Sequence, residues 1–90
     1  MKVIESTELE RLVRDTFPAR RGFSAAELDL RPGRPAVVPC VHGGPDPFLD
    51  RHFDAWLDGA AAFVALHMLL NRLCRAGTLA PGDYAVTRRG

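Results

Sequence analysis

The side chains of this sequence that could ligate a metal or attack an electrophile are two cysteines and three histidines. Cys40 and His42 stand two apart in a stretch rich in β-branched residues, a spacing that would send both side chains to one face of an extended chain. His52, His67 and Cys74 follow at helical intervals. A zinc site needs three or four ligands converging tetrahedrally, and its usual signature is two short-gap ligand pairs. The spacing lacks that signature, so the expectation is no metal and no other cofactor. Cys40 beside His42 also has the makings of a thiolate nucleophile, but no activating partner follows from the spacing. No residue is assigned as catalytic, and a metal- or thiol-dependent small enzyme ranks behind two kinds of binding protein.

The polar pattern with most order is acidic. Asp46, Asp50, Asp54 and Asp58 recur every four residues. On a helix that spacing sets acids about 6 Å apart along the axis and winds them by about 40° at each step. Like charges so placed repel by a few tenths of a kcal/mol, although the first is favoured by the helix N-terminus. The strip is either a solvated face relieved by Arg51, or a recognition surface that meets arginines or imitates a phosphate backbone. The cationic counterpart is Arg72, Arg75, Arg88 and Arg89. These eight residues are the candidate partner-binding set.

The elements that would position them follow from periodicity. From Pro47 to Ala76, apolar residues recur at spacings of three and four, and Asp46-Pro47 at one end and Gly77 at the other mark the limits of a helix. Thirty residues of straight helix would span about 45 Å, more than a domain of this size, so the expectation is a bend or two segments near Gly59. Trp56, Phe63, Leu66, Leu70 and Tyr84 are expected in the core or at its edge. Upstream, Val3 and Ile4 suit a short strand, and Thr7 with Glu10 fits a capping box opening a helix that Pro18 ends. Ser24 and Glu27 fit a second capping box, against an alternating Leu28-Asp29-Leu30-Arg31 that reads as strand. Ala36 to Val41 is an edge strand, because Pro39 has no backbone donor. Thr78 to Thr87, with a turn at Ala80-Pro81-Gly82-Asp83, reads as a hairpin. The fold class is therefore α+β: a single domain over residues 1–90, with a long central helix on a two- to three-stranded antiparallel sheet.

Composition excludes some functions. Net charge is +1, so there is no global excess to hold nucleic acid or an anionic membrane. Hydrophobic content of 47% with 26% charged is ordinary for a globular chain. The eleven-residue apolar run from Ala60 to Leu70 is too short to cross a bilayer. No signal peptide is evident at the start, which points to a cytoplasmic protein with free thiols. Eleven arginines against one lysine suggest a high-GC bacterium or its phage.

Two short stretches resemble known families. AVVPCVHGGPDP, ending at Pro47, resembles the strand and oxyanion loop of α/β hydrolases and proline iminopeptidases. Those enzymes also require a G-x-S-x-G serine, and Ser6 and Ser24 lie in no such setting. LLNRLCRAGTLAPGDYAVTRRG resembles the last helix and wing of bacterial winged-helix regulators, which would put Arg72, Arg75, Arg88 and Arg89 on backbone phosphates. The leading expectation is a small non-catalytic protein that occupies a macromolecular partner, a protein or a protein–nucleic acid complex. Phage and mobile-element inhibitors, anti-CRISPR proteins among them, are chains of this size, an argument from size and not from resemblance. A winged-helix DNA-binding regulator is the alternative, with direct nucleic-acid contact. A homodimer would complete the cover of the apolar helix if the domain cannot.

Overall fold

The computed structural model describes residues 1–18, 23–41, 44 and 46–88; His42 and Arg89 lie outside them. The order is β1 (Lys2–Glu5), α1 (Ser6–Thr16), a 3₁₀ turn (Ala25–Leu28), β2 (Ala36–Cys40), α2 (Pro47–Asp58), α3 (Ala62–Arg75) and β3 (Gly82–Thr87). The class is α+β, and the sheet order is β1-β3-β2.

The sheet is mixed, not antiparallel: β3 runs parallel to β1 and antiparallel to β2. The expected C-terminal hairpin is absent, because residues 78–81 form a turn and Gly82–Thr87 enters the middle of the sheet as one strand. Tyr84, Ala85 and Val86 are all buried, the continuous burial of a central strand where the sequence reads as alternation. Pro39 sits on the outer edge strand, as its missing donor requires. Asn71 of α3 completes that edge, accepting from Val41 N at 3.1 Å and donating to Pro39 O at 3.3 Å and His67 O at 2.9 Å.

The apolar run from Phe48 to Cys74 makes two helices. Asp46 Oδ1 accepts from Phe48 N and Leu49 N, both at 3.1 Å, and Pro47 supplies the first turn of α2. Gly59 ends α2, and Ala61 is extended (φ −65°, ψ 157°), which breaks the helical path. Past α3, Gly77 takes φ +82° while its N–H reaches Cys74 O and that of Thr78 reaches Leu73 O, a Schellman closure.

Other local expectations shift. Helix α1 starts two residues early, with Glu5 at the N-cap and no side-chain cap, so Thr7 is inside the helix. Ser24 does cap its element, accepting from Ala26 N, but the element is a single 3₁₀ turn. Leu66, Leu69, Leu70 and Leu73 are fully buried against β2, α1 and the 3₁₀ turn, each worth roughly 2 kcal/mol. Leu66, Leu70 and Tyr84 are core as expected, whereas Trp56 is 46% exposed and Phe63 67%. Both lie on exposed sides of their helices, each at the edge of a cleft.

Replacing Asn71 by leucine leaves Val41 N–H and Pro39 C=O unpaired at the sheet edge. Stability should fall by about 1–2 kcal/mol in urea unfolding, with faster amide exchange at Val41. Unchanged exchange at Val41 would show that Asn71 does not hold the edge.

Candidate functional site

The four aspartates that recur along α2 do different work, because the 40° winding carries them from the buried side to the open one. Asp46 is the N-cap. Asp50, one turn on, faces α3 and meets two arginines, Arg75 Nη2 at 3.1 Å and Arg72 Nε at 3.4 Å. Asp54 and Asp58 continue onto the exposed side, where each has contacts of its own.

Arg72 makes contacts with both α1 and α2. Its guanidinium lies 4.5 Å from the ring centroid of Phe17, at the end of α1, and 4.6 Å from that of Phe53, in α2. Its Nη1 also donates to Asp50 O at 3.4 Å. A cation between two π faces is favourable, and arginine suits it because its plane is weakly hydrated. The aspartates and the α3 arginines were candidate surfaces for an outside partner; the fold sets Asp50, Arg72 and Arg75 against one another. Arg88 stands apart, its Nη1 donating to Leu30 O at 3.3 Å, and Arg89 lies outside the described residues.

The open side of α2 is aromatic. Phe48, His52 and Trp56, at i, i+4 and i+8, form a contiguous row: Phe48 packs edge-on to His52 at 4.9 Å and to Trp56 at 5.9 Å, and His52 stacks on Trp56 at 5.2 Å. On α3, Phe63 rests against His67 at 4.4 Å. Beside the row, the groove between α2 and α3 opens into a cleft of about 330 Å³ lined by Leu49, Phe53, Trp56, His67, Met68, Asn71 and Arg75. His67 Nε2 and Arg75 Nε, both out of contact with solvent, have no hydrogen-bond partner among the described residues. The i, i+4, i+8 spacing of Phe48, His52 and Trp56 is visible in the sequence; the face it would occupy is not.

No protein-family profile matches the chain, and neither does any curated protein or solved structure. The site is therefore read from its own chemistry. Among the described residues no three His, Cys, Asp or Glu side chains gather as metal ligands, and no helix is long and apolar enough to cross a membrane. Cys40 and Cys74 are buried free thiols. Burial, and secondarily its neighbour Cys74, pushes the Cys40 thiol up from 9.0 to about 11. The thiolate that a nucleophile would need is thus scarce at neutral pH.

Asp50→Asn should cost about 1–2 kcal/mol, less than for a fully buried pair because solvent reaches the carboxylate. A double-mutant cycle with Arg72→Ala should show coupling, and Arg72→Lys should fail to restore stability since it cannot stack flat on both rings. Additive losses would contradict the link. For Cys40, a raised folded-state pKa means that its stabilising contribution is complete below pH 9.0 and is lost as pH rises through about 11. A Cys40→Ala variant should lack that part of the alkaline fall in urea-unfolding free energy; the same fall in both proteins would refute it.

Proposed function

We propose that this chain is a non-catalytic binding protein that acts by occupying a macromolecular partner, a protein or a protein–nucleic acid complex, through the open side of α2. The observation that carries the reading is the exposed row Phe48, His52 and Trp56, with Phe48 61% and Trp56 46% exposed beside an apolar cleft. Rings of this kind are enriched where interfaces bury their centres, and a contiguous exposed apolar patch on a small domain marks such a place.

The winged-helix regulator has less support. Arg72 and Arg75 are engaged by Asp50, and the segment that resembles a wing is the central strand of the sheet. An enzyme reading likewise finds no activated nucleophile in the buried, proton-retaining Cys40.

The test is a photo-crosslinker, p-benzoylphenylalanine, placed at Trp56 and, as a control, at Arg14 on the exposed side of α1, in cells of a high-GC bacterium. Discrete adducts from position 56 and none from position 14 are expected, and their loss on Phe48→Ser would tie them to the row. Equal labelling from both positions, or none from 56, would overturn the docking role. Adducts formed by the purified chain alone would identify the partner as a second copy.

A further inference from the structure

A second cleft, of about 290 Å³, lies between the turn after the 3₁₀ element and the start of α3; it is lined by Asp29, Arg31, Arg34, Ala62, Phe63 and Leu66, among others. Its rim is set by a tight turn. Arg34 N donates to Arg31 O at 3.1 Å, and Pro32 followed by Gly33 at φ +76° fits a type II β-turn. Arg31 and Arg34 form an isolated antiparallel bridge, which places their side chains next to each other on one face.

Two like charges directly opposite one another repel. The structure does nothing locally to relieve them: among the described residues neither guanidinium has an ion-pair partner. Arg88 adds a third cation at the same turn through its bond to Leu30 O, against the single carboxylate of Asp29. Phe63 of α3, 67% exposed and touching His67 at 4.4 Å, lines the same cleft, so an accessible aromatic ring shares it with the cations. The first turn of α3, which has neither a side-chain cap nor an acid, begins at this cleft and adds a favourable potential for an anion.

We infer that this cleft binds a nucleotide, its phosphate between Arg31 and Arg34 and its base against Phe63. Phosphate is favoured over a lone carboxylate because two adjacent guanidiniums match its several oxygens and greater charge. An aromatic base is favoured over an aliphatic group because Phe63 offers a ring face for stacking. The site uses none of the docking row on α2 and does not depend on the reading of that row. The same chemistry arrives either as a free mononucleotide or as an unpaired nucleotide of a single strand.

Amide chemical-shift titration of the whole chain separates these cases, with AMP, adenosine, inorganic phosphate and a short deoxyadenosine oligonucleotide as probes at constant ionic strength. AMP should move the amides of Arg31, Arg34, Ala62 and Phe63 saturably, with phosphate weaker and adenosine weaker still. Arg31→Gln with Arg34→Gln should weaken AMP by at least about tenfold, the loss of two charge-assisted contacts. Phe63→Leu should weaken AMP several-fold and leave phosphate unchanged. Both variants lie on exposed positions, and amide dispersion reports whether each is folded. Tighter binding of the oligonucleotide than of AMP, with a steep fall in salt, would name a single strand as the source; the reverse would name the free nucleotide. Absence of localised shifts with AMP, equal shifts with adenosine, or an affinity indifferent to the double arginine replacement would each overturn the site.

Discussion

The arrangement of the three helices depends on one carboxylate, that of Asp50, and the two guanidiniums it joins. Asp50 is in the first turn of α2, while Arg72 and Arg75 are in the last turn of α3. A contact between those turns makes the two helices antiparallel. Each charge also sits at the helix end whose dipole favours it, the acid at an N-terminus and the bases at a C-terminus. Arg72 then carries the link to α1 by lying between Phe17 and Phe53. The leucines of α3 are fully buried, but burial is not directional. The ion pairs and the stacked guanidinium fix which side of α2 turns inward.

That choice decides what remains outside. With Phe53 and Leu57 turned to the core, the row Phe48, His52 and Trp56 is left on the open side, and the groove between the helices becomes a cleft. The charges that looked most available for recognition are partly consumed within the fold. What is left for a partner on α2 is its exposed aromatic surface. At the other end of α3, the turn at Arg31 and Arg34 holds cations that have no ion-pair partner among the described residues. The chain thus presents an aromatic surface and a cationic turn at separate places.

The sequence made the helical stretch legible because its caps are local: Asp46, Pro47 and Gly77 act on neighbouring backbone groups. The same holds for Pro18, Pro39 and the break after Gly59. The α+β class follows from these signals. What could not be read was any feature set by pairing across the chain. Residues 78–87 contain a turn and an alternating segment, yet the strand pairs with residues 2–5 and 36–40, which no nearby residue announces. Asn71 gives no local sign that it will complete a sheet edge, and Phe17 gives none that it will receive an arginine. Trp56 and Phe63 are expected in the core or at its edge because they fall on the helical period; which face of each helix is covered is decided by the elements on the other side. The regular spacing of the aspartates is plain, and their division into cap, link and exposed pair required knowing where the core lies.

The most direct test of this account is NMR observation of the Arg72 and Arg75 Nε–H groups in the folded chain. The account predicts slowly exchanging, dispersed signals for both, with cross-peaks from Arg72 to the rings of Phe17 and Phe53 that vanish in Asp50→Asn. Rapidly exchanging Nε–H groups with random-coil shifts and no contact to either ring would mean that Asp50 does not organise the helices, and the assignment of inner and outer faces of α2 would fall with it.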